Sequence, residues 1–487
     1  MKKWISLLLL IFFGLNVFAQ GESIGYTTSN YSGVNSVLLN PSAMHNQNTW
    51  LSFNFFSGNL FFHTDFAYLD NADFRLRDLF DPDYVLPLHE TKYGVDEFPH
   101  YSFNRERNTS FDQSLRVLGP SLMLTYNEHA FAITSAARFQ TNVRNLTYDM
   151  ANILAYGFFY SPQYLIKYDV KDFNGTTMAW SEVGFSYAYR TNKESFDGWS
   201  FGISLKRLLG AGGAYLHVDK STYSLIDSET LGAENQQAEL GFSAPFDYNT
   251  GEFIDYNMLN GKGWSIDLGF TYQSLIKHQP KLNATKFCEQ PLIEYKYRIG
   301  VALLDIGSIN YTQNAQTHNF SRGDEQTGEI EGLLLNNVND ILEQMSERFY
   351  SDPNSSLIDN SMRIALPMAL STQFDYNTEF SNLYWNVSLM YGIPLKGGAL
   401  RRPNQLSITP RYETRNLEFG LPLSLYQFRY PHLGVYARLG FLSVGSDWLS
   451  TLLGNHDFHG IDLYFSLKFQ LNKDNCRPKK TIREACY

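Results

Sequence analysis

The chain has 487 residues, with 39 Lys and Arg against 49 Asp and Glu and a formal net charge of −10. An acidic chain is unsuited to nucleic acids, because the electrostatic part of that binding requires Lys and Arg to neutralise phosphates. Aromatic residues make up 16% of the chain and charged residues only 18%, against about 25% charged residues in soluble domains, which disfavours an ordinary soluble protein.

The first residues have the pattern of a secretory signal peptide. Two lysines precede an apolar run from Ile5 to Leu15, and Val17-Phe18-Ala19 places small residues at the spacing of a cleavage site. We therefore expect residues 1–19 to be a signal peptide cleaved after Ala19. The next residue is not a cysteine, so we expect no lipid anchor there. No later stretch reaches about 18 uninterrupted apolar residues, which excludes a helical membrane protein.

The segment at residues 20–48 has no strand periodicity and is rich in Ser, Asn and Tyr. It contains the sequence Leu39 to Ala43 (LNPSA). The lack of alternation argues against a lipid-facing strand. We predict a plug-like segment that lies inside or beneath the lumen of the structure that follows, with a plug motif at Asn40, Pro41, Ser42 and Ala43.

Residues 49–471 are dominated by stretches in which large apolar side chains alternate with small or polar ones. Between Gly261 and Gln273, for example, every second residue from Trp264 to Tyr272 is large and apolar. Strand side chains change faces with period two, and repeated stretches of about ten residues with one aromatic face are typical of transmembrane β-barrels. We therefore predict an all-β fold, a transmembrane antiparallel β-barrel. Fifteen stretches fit the pattern: 49–57, 59–69, 115–127, 129–142, 177–190, 198–208, 213–224, 263–274, 294–304, 361–375, 382–392, 404–413, 415–424, 431–443 and 460–471.

Bacterial single-chain barrels have even strand numbers, so this tally predicts fourteen or sixteen strands, and we prefer fourteen. Ser57-Gly58-Asn59 and Asn127-Glu128 have the composition of short periplasmic turns. Long insertions at 70–112, 225–262 and 305–360 are predicted to be extracellular loops that could bind other outer-membrane or surface proteins. The third contains one amphipathic helical face, for which we expect packing on a loop or in the lumen, with partner binding as the alternative. Its residues are Leu334, Val338, Ile341, Leu342, Met345 and Phe349.

Several charged residues fall on the polar side of predicted strands, where burying an unpaired charge would be costly. They are Glu182, Arg190, Lys206, Asp267, Asp305, Asp462 and Lys468. We predict ion pairs between strands or between the plug and the wall. The alternative is that these charges face an open watery channel. Asp267 and Asp305, in the similar sequences DLG and DIG, are the residues that we expect to hold the N-terminal segment.

Enzymatic and metal motifs are weak. Gly198 to Gly202 (GWSFG) matches the nucleophile-elbow pattern of hydrolases, but it lies within a predicted strand with no helix after it. The groups His456, Asp457, His459 and His217, Asp219 each lack a further ligand for a metal site. Gly210 to Gly213 lacks the Lys-Ser/Thr of a phosphate-binding loop. We therefore predict no catalytic residues, no metal and no cofactor.

The chain continues past the last predicted strand as a tail at residues 472–487, which we expect to be periplasmic. Cys288, Cys476 and Cys486 are too few for a disulfide framework or a zinc site. A bridge between Cys476 and Cys486, closing a short loop in an oxidising periplasm, is one possibility that the sequence leaves open.

The order of several stretches resembles a Bacteroidota family of outer-membrane barrels classified as a domain of unknown function, itself similar to FadL-type and PorV-type barrels. The stretches that carry the resemblance are Leu39 to Ala43 (LNPSA), Gly202 to Gly210 (GISLKRLLG), Gly261 to Tyr272 (GKGWSIDLGFTY), Tyr297 to Gly307 (YRIGVALLDIG), and the C-terminal RLGFLSVGSDWL and GIDLYFSLKFQ. The resemblance implies fourteen strands and an N-terminal plug. For FadL-type proteins it also implies passage of hydrophobic molecules through a lateral gap in the wall.

Two functions remain open at this point. The first is an integral outer-membrane barrel that transports, or hands across the membrane, a hydrophobic or amphipathic ligand. The second is a non-transporting accessory subunit of an outer-membrane complex for protein secretion, assembly or surface attachment, because barrels of one shape serve several functions. In both, outer-membrane lipid surrounds the barrel.

Overall fold

The structure is a computed structural model of the full chain. It describes residues 23–66, 109–156, 161–191, 195–227, 230–252, 259–278, 282–321, 328–331, 337–380, 382–395, 397–453 and 457–476, together with residue 254 and a few residues between 68 and 99.

The wall is a closed antiparallel β-barrel of fourteen strands. The first strand pairs with the last, from Thr49 opposite Asn472 to His63 opposite Gly460, and this pairing closes the sheet. Several wall strands are interrupted and therefore comprise two pieces, such as β4 with β5 and β19 with β20. The strands are β1 (Thr49–Thr64), β2 (Leu88–His89), β3 (Phe98–Pro99), β4 (Thr109–Leu118), β5 (Ser121–Tyr126), β6 (His129–Leu146), β7 (Lys167–Arg190), β8 (Asp197–Leu225), β9 (Thr230–Ser243), β10 (Gly261–Leu275), β11 (Tyr295–Tyr311), β12 (Ala315–Ser321), β13 (Gly328–Glu331), β14 (Leu357–Asp359), β15 (Met362–Ala365), β16 (Ala369–Asn377), β17 (Leu383–Gly392), β18 (Gln405–Glu413), β19 (Leu417–Gly420), β20 (Leu423–Tyr426), β21 (Tyr430–Leu433), β22 (Val435–Leu439), β23 (Leu442–Ser446) and β24 (Gly460–Asn472).

Helical elements are few and short. None of the helices in the described ranges has the length and hydropathy of a membrane-spanning helix. They are α1 (Ile24–Thr27), α2 (Tyr148–Tyr156), α3 (Val338–Tyr350) and α4 (Leu449–Leu453), with 3-10 turns at Gly33–Leu38, Pro41–Asn46, Ser161–Gln163 and Phe287–Glu289.

The predicted alternation of faces is present in the wall. On β10 the large residues Trp264, Ile266 and Leu268 are exposed on the outer surface, whereas Ser265 and Asp267 are buried on the lumen side. Aromatic rings of neighbouring strands meet near one rim, for example Trp199 and Tyr272 with ring centroids 4.7 Å apart. The outer surface is thus an apolar belt with aromatic residues at its edge, as a lipid-facing barrel requires.

The strand tally is corrected at three places. Ser57-Gly58-Asn59 is not a turn, because it lies inside the continuous strand β1, where Phe465 of β24 covers the glycine. The stretches 198–208 and 213–224 form one strand, β8, of 29 residues. The short strand β23, which has only five residues, was missed. Two pairs of predicted stretches each form one strand, which reduces the fifteen stretches to thirteen strands. The missed strand β23 raises the number to fourteen. The turn at Asn127-Glu128 is confirmed, with Asn127 at φ 51°.

The sheet continues beyond the barrel on the side of the long loops. The upper half of β8 leaves β10 and pairs with β9, which in turn pairs with β12. The insertions predicted at 225–262 and 305–360 therefore contain strands of their own, and β11 extends into the second of them. These strands were missed because β9, which stands above the belt, has no apolar alternation. Most of the insertion at 70–112 lies outside the described residues.

The helix predicted in the third insertion exists as α3 and packs on this upper sheet. Its residues Leu342 and Phe349 are buried in a cluster with Phe242 and Phe320. This face therefore contacts the chain itself, although it packs on strands of the upper sheet and not on a loop or in the lumen. Leu334 lies outside the described residues.

The opposite rim carries shorter turns and both ends of the described chain, which is the periplasmic arrangement. There the segment at 282–294 reaches across to the turn after β5. Gln290 donates to the carbonyl of Thr125 at 2.8 Å. Cys288 is joined by a disulfide to Cys476, 188 residues away in sequence. This pairing excludes the bridge between Cys476 and Cys486 that the sequence left open. Cys476 follows the end of β24 and lies beside the segment that contains Cys288.

Loss of this disulfide is expected to destabilise the barrel. In the chain-entropy model, a bridge that closes a loop of 188 residues contributes up to about 5 kcal/mol. We expect Cys288→Ser and Cys476→Ser to lower the urea midpoint of the folded barrel, whereas Cys486→Ser leaves it unchanged. Equal effects of all three substitutions in urea titrations would contradict the observed pairing.

Candidate functional site

The N-terminal segment, residues 23–48, fills the periplasmic half of the lumen. Almost all of its side chains are buried, including Ile24, Val34 and Met44 on its apolar side. Val34 and Met44 pack against small lumen residues of β6 and β7 such as Ala132 and Ala188. A stretch without strand periodicity therefore occupies the interior of the wall and does not join it.

The LNPSA sequence makes a compact turn that binds the wall. The Asn40 side chain caps the turn, because its Oδ1 accepts hydrogen bonds from the Ser42 amide at 3.0 Å and the Ser42 hydroxyl at 2.7 Å. Its Nδ2 donates to the carbonyl of Phe270 and to Gln373, both at 3.2 Å. The Ser42 hydroxyl also lies 2.6 Å from that of Thr271. One asparagine thus closes the turn and fixes it to two strands.

Glycines on the lumen face of the wall make room for this turn. A Cβ added to Gly202 would lie 2.3 Å from the Ser42 nitrogen, and one added to Gly269 would lie 2.2 Å from Asn40 Oδ1. A Cβ on Gly300 would lie 2.9 Å from Asn40 Nδ2. Real Cβ atoms do not approach other atoms so closely, so β8, β10 and β11 together form a recess, the glycine recess, that no other residue type would leave open.

Below the recess, charged wall residues hold the backbone of the N-terminal segment. Arg298 donates to the Asn30 side chain and to the carbonyl of Thr28, both at 3.1 Å, and pairs with Asp375 at 2.8 Å. Asp375 also pairs with Arg411 at 2.8 Å. Because every charge in this group has a partner, the polar backbone of the segment is buried without an unpaired ion.

Further contacts lie on the opposite wall. The Ser29 hydroxyl donates to Glu418 at 2.7 Å, and Lys468 donates to the carbonyl of Tyr31 at 2.5 Å. Lys468 also lies over the ring of Tyr26, 4.7 Å from its centroid. Lys473, just after β24, donates its amide to the carbonyl of Asn48. Burial lowers the pKa of the Lys473 ammonium group to about 7, and nearby Arg190 adds to this shift.

Halfway along the lumen, above the N-terminal segment, lies a buried charge cluster centred on Asp305. This carboxylate pairs with Arg138 at 3.0 Å, Lys206 at 2.9 Å and Arg402 at 2.5 Å. Lys206 also pairs with Asp267 at 2.7 Å. Arg402 is not a wall residue, because it belongs to the loop between β17 and β18, so this ion pair holds that loop inside the lumen.

The sequence-predicted lumen charges are all buried on the inner face. Glu182 pairs with Arg138 at 3.4 Å, whereas Arg190 donates to Gln273 at 2.7 Å. Asp462 is 3% exposed and has an interaction partner. The expectation that Asp267 and Asp305 hold the N-terminal segment is wrong. They lie beyond its reach, nearer the extracellular side, and neutralise Lys206 and the arginines instead.

One side of the extracellular half of the lumen is apolar, although barrel interiors are ordinarily polar. The other side contains buried polar groups, among them Arg144 paired with Asp112 at 2.5 Å. The side chains of the apolar side form one buried cluster, which includes Leu400 of the loop held by Arg402. Gly210 lies against this cluster, because a Cβ there would be 2.6 Å from the Tyr311 hydroxyl. The members of this apolar cluster are Met178, Trp180, Leu208, Tyr215, Ile309, Tyr311, Ala315, Met362, Ile364, Leu366 and Leu400.

The lumen is closely packed around the N-terminal segment. Two cavities of about 30 Å³ each flank it, one lined by Tyr26, Asn59 and Arg116 and the other by Arg298 and Asp375. Each is large enough for about two water molecules.

The weaker motifs are dispersed. Ser200 lies near the start of β8 with its side chain towards the lumen. His217 contacts Asp219 at 3.0 Å on the upper sheet. His456 lies outside the described residues, and within the described part of the chain no three His, Cys, Asp or Glu side chains are arranged to hold a metal.

The model of the "Family of unknown function (DUF5723)" matches residues 41–447. The chain belongs to this family. The match begins at Pro41 in the turn that binds the glycine recess and extends through β23, so the family includes the turn together with nearly the whole wall. Curated protein sequences contain no match to the chain.

The chain is similar to several solved structures. The P. putida toluene transporter TodX is 10% identical, with 91% of this chain and 95% of that chain covered and a TM-score of 0.40. A Pseudomonas aeruginosa FadL homologue is 8% identical, covering 89% and 93%, with a TM-score of 0.21. The Escherichia coli outer membrane protease OmpT is 7% identical, covering 86% and 95%, with a TM-score of 0.20. At such scores, nothing about the function of these proteins carries over to this chain.

Sequence reasoning missed many residues that hold the N-terminal segment. Arg298, Asp375, Arg411 and Glu418 occupy lumen positions of predicted strands, so the alternation pattern already contained a signal for them. Arg402 gave no such signal, because it lies in a loop whose entry into the lumen depends on the folded wall.

Proposed function

We propose that this protein is an integral outer-membrane barrel that transports, or hands across the membrane, a hydrophobic or amphipathic ligand. The observation that carries the proposal is the apolar cluster in the extracellular half of the lumen. Barrels that conduct ions or small polar solutes have a polar, water-filled interior, which differs from this apolar lining. Ligand sites are typically apolar with a few polar groups that fix orientation. Here the charge cluster around Asp305 lies at the lower end of the apolar cluster.

In this proposal the N-terminal segment is the plug that separates the apolar cluster from the periplasm. Its contacts with the wall are hydrogen bonds to ion-paired charges and apolar packing of residues such as Val34 and Met44, and its turn fits closely in the glycine recess. A ligand would enter the upper lumen by displacing side chains of the cluster, in which Met178 and Met362 are the most adaptable. It would leave when the plug shifts.

The apolar cluster is tested by adding one polar group to it. Leu208→Gln is expected to slow the passage of a fluorescent fatty-acid analogue into proteoliposomes by about tenfold, because the cluster then contains an amide that lacks a partner. The matched control is Leu205→Gln on the same strand, where the side chain faces outward and is 46% exposed. Equal rates for Leu208→Gln and the unchanged protein, with both variants folded, would contradict the proposal.

The second candidate is the accessory subunit without transport. The observation that favours it is the dense packing of the lumen, with cavities of about 30 Å³. Purification from native membranes in mild detergent discriminates the two functions. A stoichiometric set of partner proteins without a bound lipid-like molecule would favour the accessory subunit, whereas a lone barrel with such a molecule would favour transport.

A further inference from the structure

Three cationic side chains lie together on the outer face of the wall, where lipid would surround the barrel. They are Arg207 on β8, Lys262 on β10 and Arg363 on β15. Alternation directs them outward, because their neighbours Lys206 and Ile364 are buried on the lumen side. Lys262 and Arg363 are exposed and Arg207 is half-buried. We call these three residues the basic patch.

Strand register places the three residues within one small area. Lys262 pairs with Asn310, and Asn310 pairs with Arg363, so these two cations share a row two strands apart. At about 4.8 Å per strand their backbones are separated by about 10 Å. Arg207 of β8 lies opposite Trp264 of β10. Trp264 is two residues nearer the periplasmic rim than Lys262 on the same strand. Long side chains on such a triangle can reach one anionic group between them.

The basic patch lies at the extracellular edge of the apolar belt. On β10 the belt runs from Tyr272, near the periplasmic rim, to Trp264, and Lys262 is the next outward residue. Ten residues from Tyr272 to Lys262 correspond to about 34 Å of strand, or about 26 Å of height at a tilt of about 40°. This height equals the apolar band of outer-membrane barrels, about 25 Å. The patch therefore lies at the level of the outer-leaflet headgroups.

No carboxylate neutralises the basic patch within the described part of the chain. Arg207 lies 5.0 Å from the Trp264 ring centroid and donates to the carbonyl of Gly263, while Arg363 donates to the Ser308 hydroxyl. None of these partners is charged. By contrast, Lys277 at the other rim pairs with a glutamate at 2.8 Å. The chain has more acidic than basic residues, so three adjacent cations without a carboxylate partner are unexpected.

We propose that Arg207, Lys262 and Arg363 bind the phosphate of a phosphorylated glycolipid of the outer leaflet, that is, lipopolysaccharide. Guanidinium groups bind phosphate with paired hydrogen bonds, and basic residues beside a membrane surface attract anionic headgroups. The acyl chains of the same molecule would lie on the apolar belt below, against Trp264 and Ile266. The proposal requires the long-loop side of the barrel to face outward, and it is independent of any transported ligand.

The test uses the full chain purified in detergent and native mass spectrometry with purified lipopolysaccharide. The variant R207Q/K262Q/R363Q is compared with K167Q/K277Q/K286Q, which removes the same charge from lysines that pair with glutamates. We expect at least about tenfold weaker lipopolysaccharide binding in the first variant and no change in the second. If the triple variant does not fold, the double variant K262Q/R363Q replaces it. We expect its lipopolysaccharide binding to be weakened as well, but less than tenfold.

Two further probes identify the source of the phosphate. Lipopolysaccharide treated with phosphatase should bind the unchanged protein about as weakly as intact lipopolysaccharide binds the triple variant. Inorganic phosphate should not compete at equal concentration, because it lacks acyl chains. Equal binding of lipopolysaccharide by the triple variant and the unchanged protein would overturn the proposal, as would equal affinity for dephosphorylated lipopolysaccharide or for inorganic phosphate.

Discussion

Alanine at Gly202 and Gly269 together is expected to expel the LNPSA turn from the lumen wall. Each new Cβ would lie within 2.3 Å of an atom of the turn. At Gly202 these neighbours are backbone atoms, and at Gly269 they belong to the hydrogen-bonded Asn40 side chain and the Pro41 ring, so neither can yield as a flexible side chain would. Overpacking of this kind costs about 1–3 kcal/mol per site. The wall is held by its strand ladder, so the N-terminal segment should be displaced first.

Limited proteolysis of the folded barrel from its periplasmic side measures this displacement. We expect cleavage within residues 23–48 to be at least about tenfold faster in G202A/G269A than in the unchanged protein, since about 1.4 kcal/mol corresponds to a factor of ten. G175A is the matched control, because a Cβ there meets its nearest neighbour at an ordinary 3.5 Å. Identical cleavage of G202A/G269A and G175A would mean that the glycine recess does not hold the segment.

Asp305→Asn is expected to be the most destabilising single substitution in the central lumen. It leaves Arg138, Lys206 and Arg402 in a buried site without their shared carboxylate, and removal of one member of a buried ion pair costs about 3–5 kcal/mol. Asp305 has φ 55°, a conformation that asparagine tolerates, so the substitution changes the charge and leaves the backbone unstrained. Urea titration of the barrel in lipid vesicles measures the loss of unfolding free energy.

The double variant Asp305→Asn with Arg402→Gln separates charge from shape. Removing one cation along with the carboxylate should recover part of the lost stability, because fewer buried charges then lack a partner. Asp267→Asn is the control and should cost less, since Lys206 retains Asp305. Additive losses in the double variant would contradict the role of Asp305 as the anchor of the loop that carries Arg402.

The sequence predicted the wall well, because lipid outside and packed polar side chains inside impose a period of two that is visible residue by residue. The pattern failed where that constraint is absent. β9 stands above the belt and shows no alternation, and β23 has only five residues. Ser57 to Asn59 resembled a turn because its polar residues face the lumen and its glycine accommodates the ring of Phe465.

The lumen site was predictable only in part. The turn at Asn40 to Ala43 was singled out from its composition, and the buried charges were placed on the correct face. The pairing of the charged residues, however, depends on strands that are far apart in sequence. Arg138 and Asp305, for example, are separated by 167 residues. The glycine recess was invisible for the same reason, since Gly202 and Gly269 become neighbours only through the pairing of β8 with β10.

A reversible covalent lock on the N-terminal segment tests whether this segment closes the path of a ligand through the lumen. The hydroxyls of Ser42 and Thr271 lie 2.6 Å apart, so S42C/T271C should form a disulfide that fixes the turn in its recess. In proteoliposomes, the oxidised variant should pass no fluorescent fatty-acid analogue, and reductant should restore passage to the rate of unchanged protein treated identically. Equal passage before and after reduction, with the disulfide verified, would show that the N-terminal segment does not close the path of the ligand.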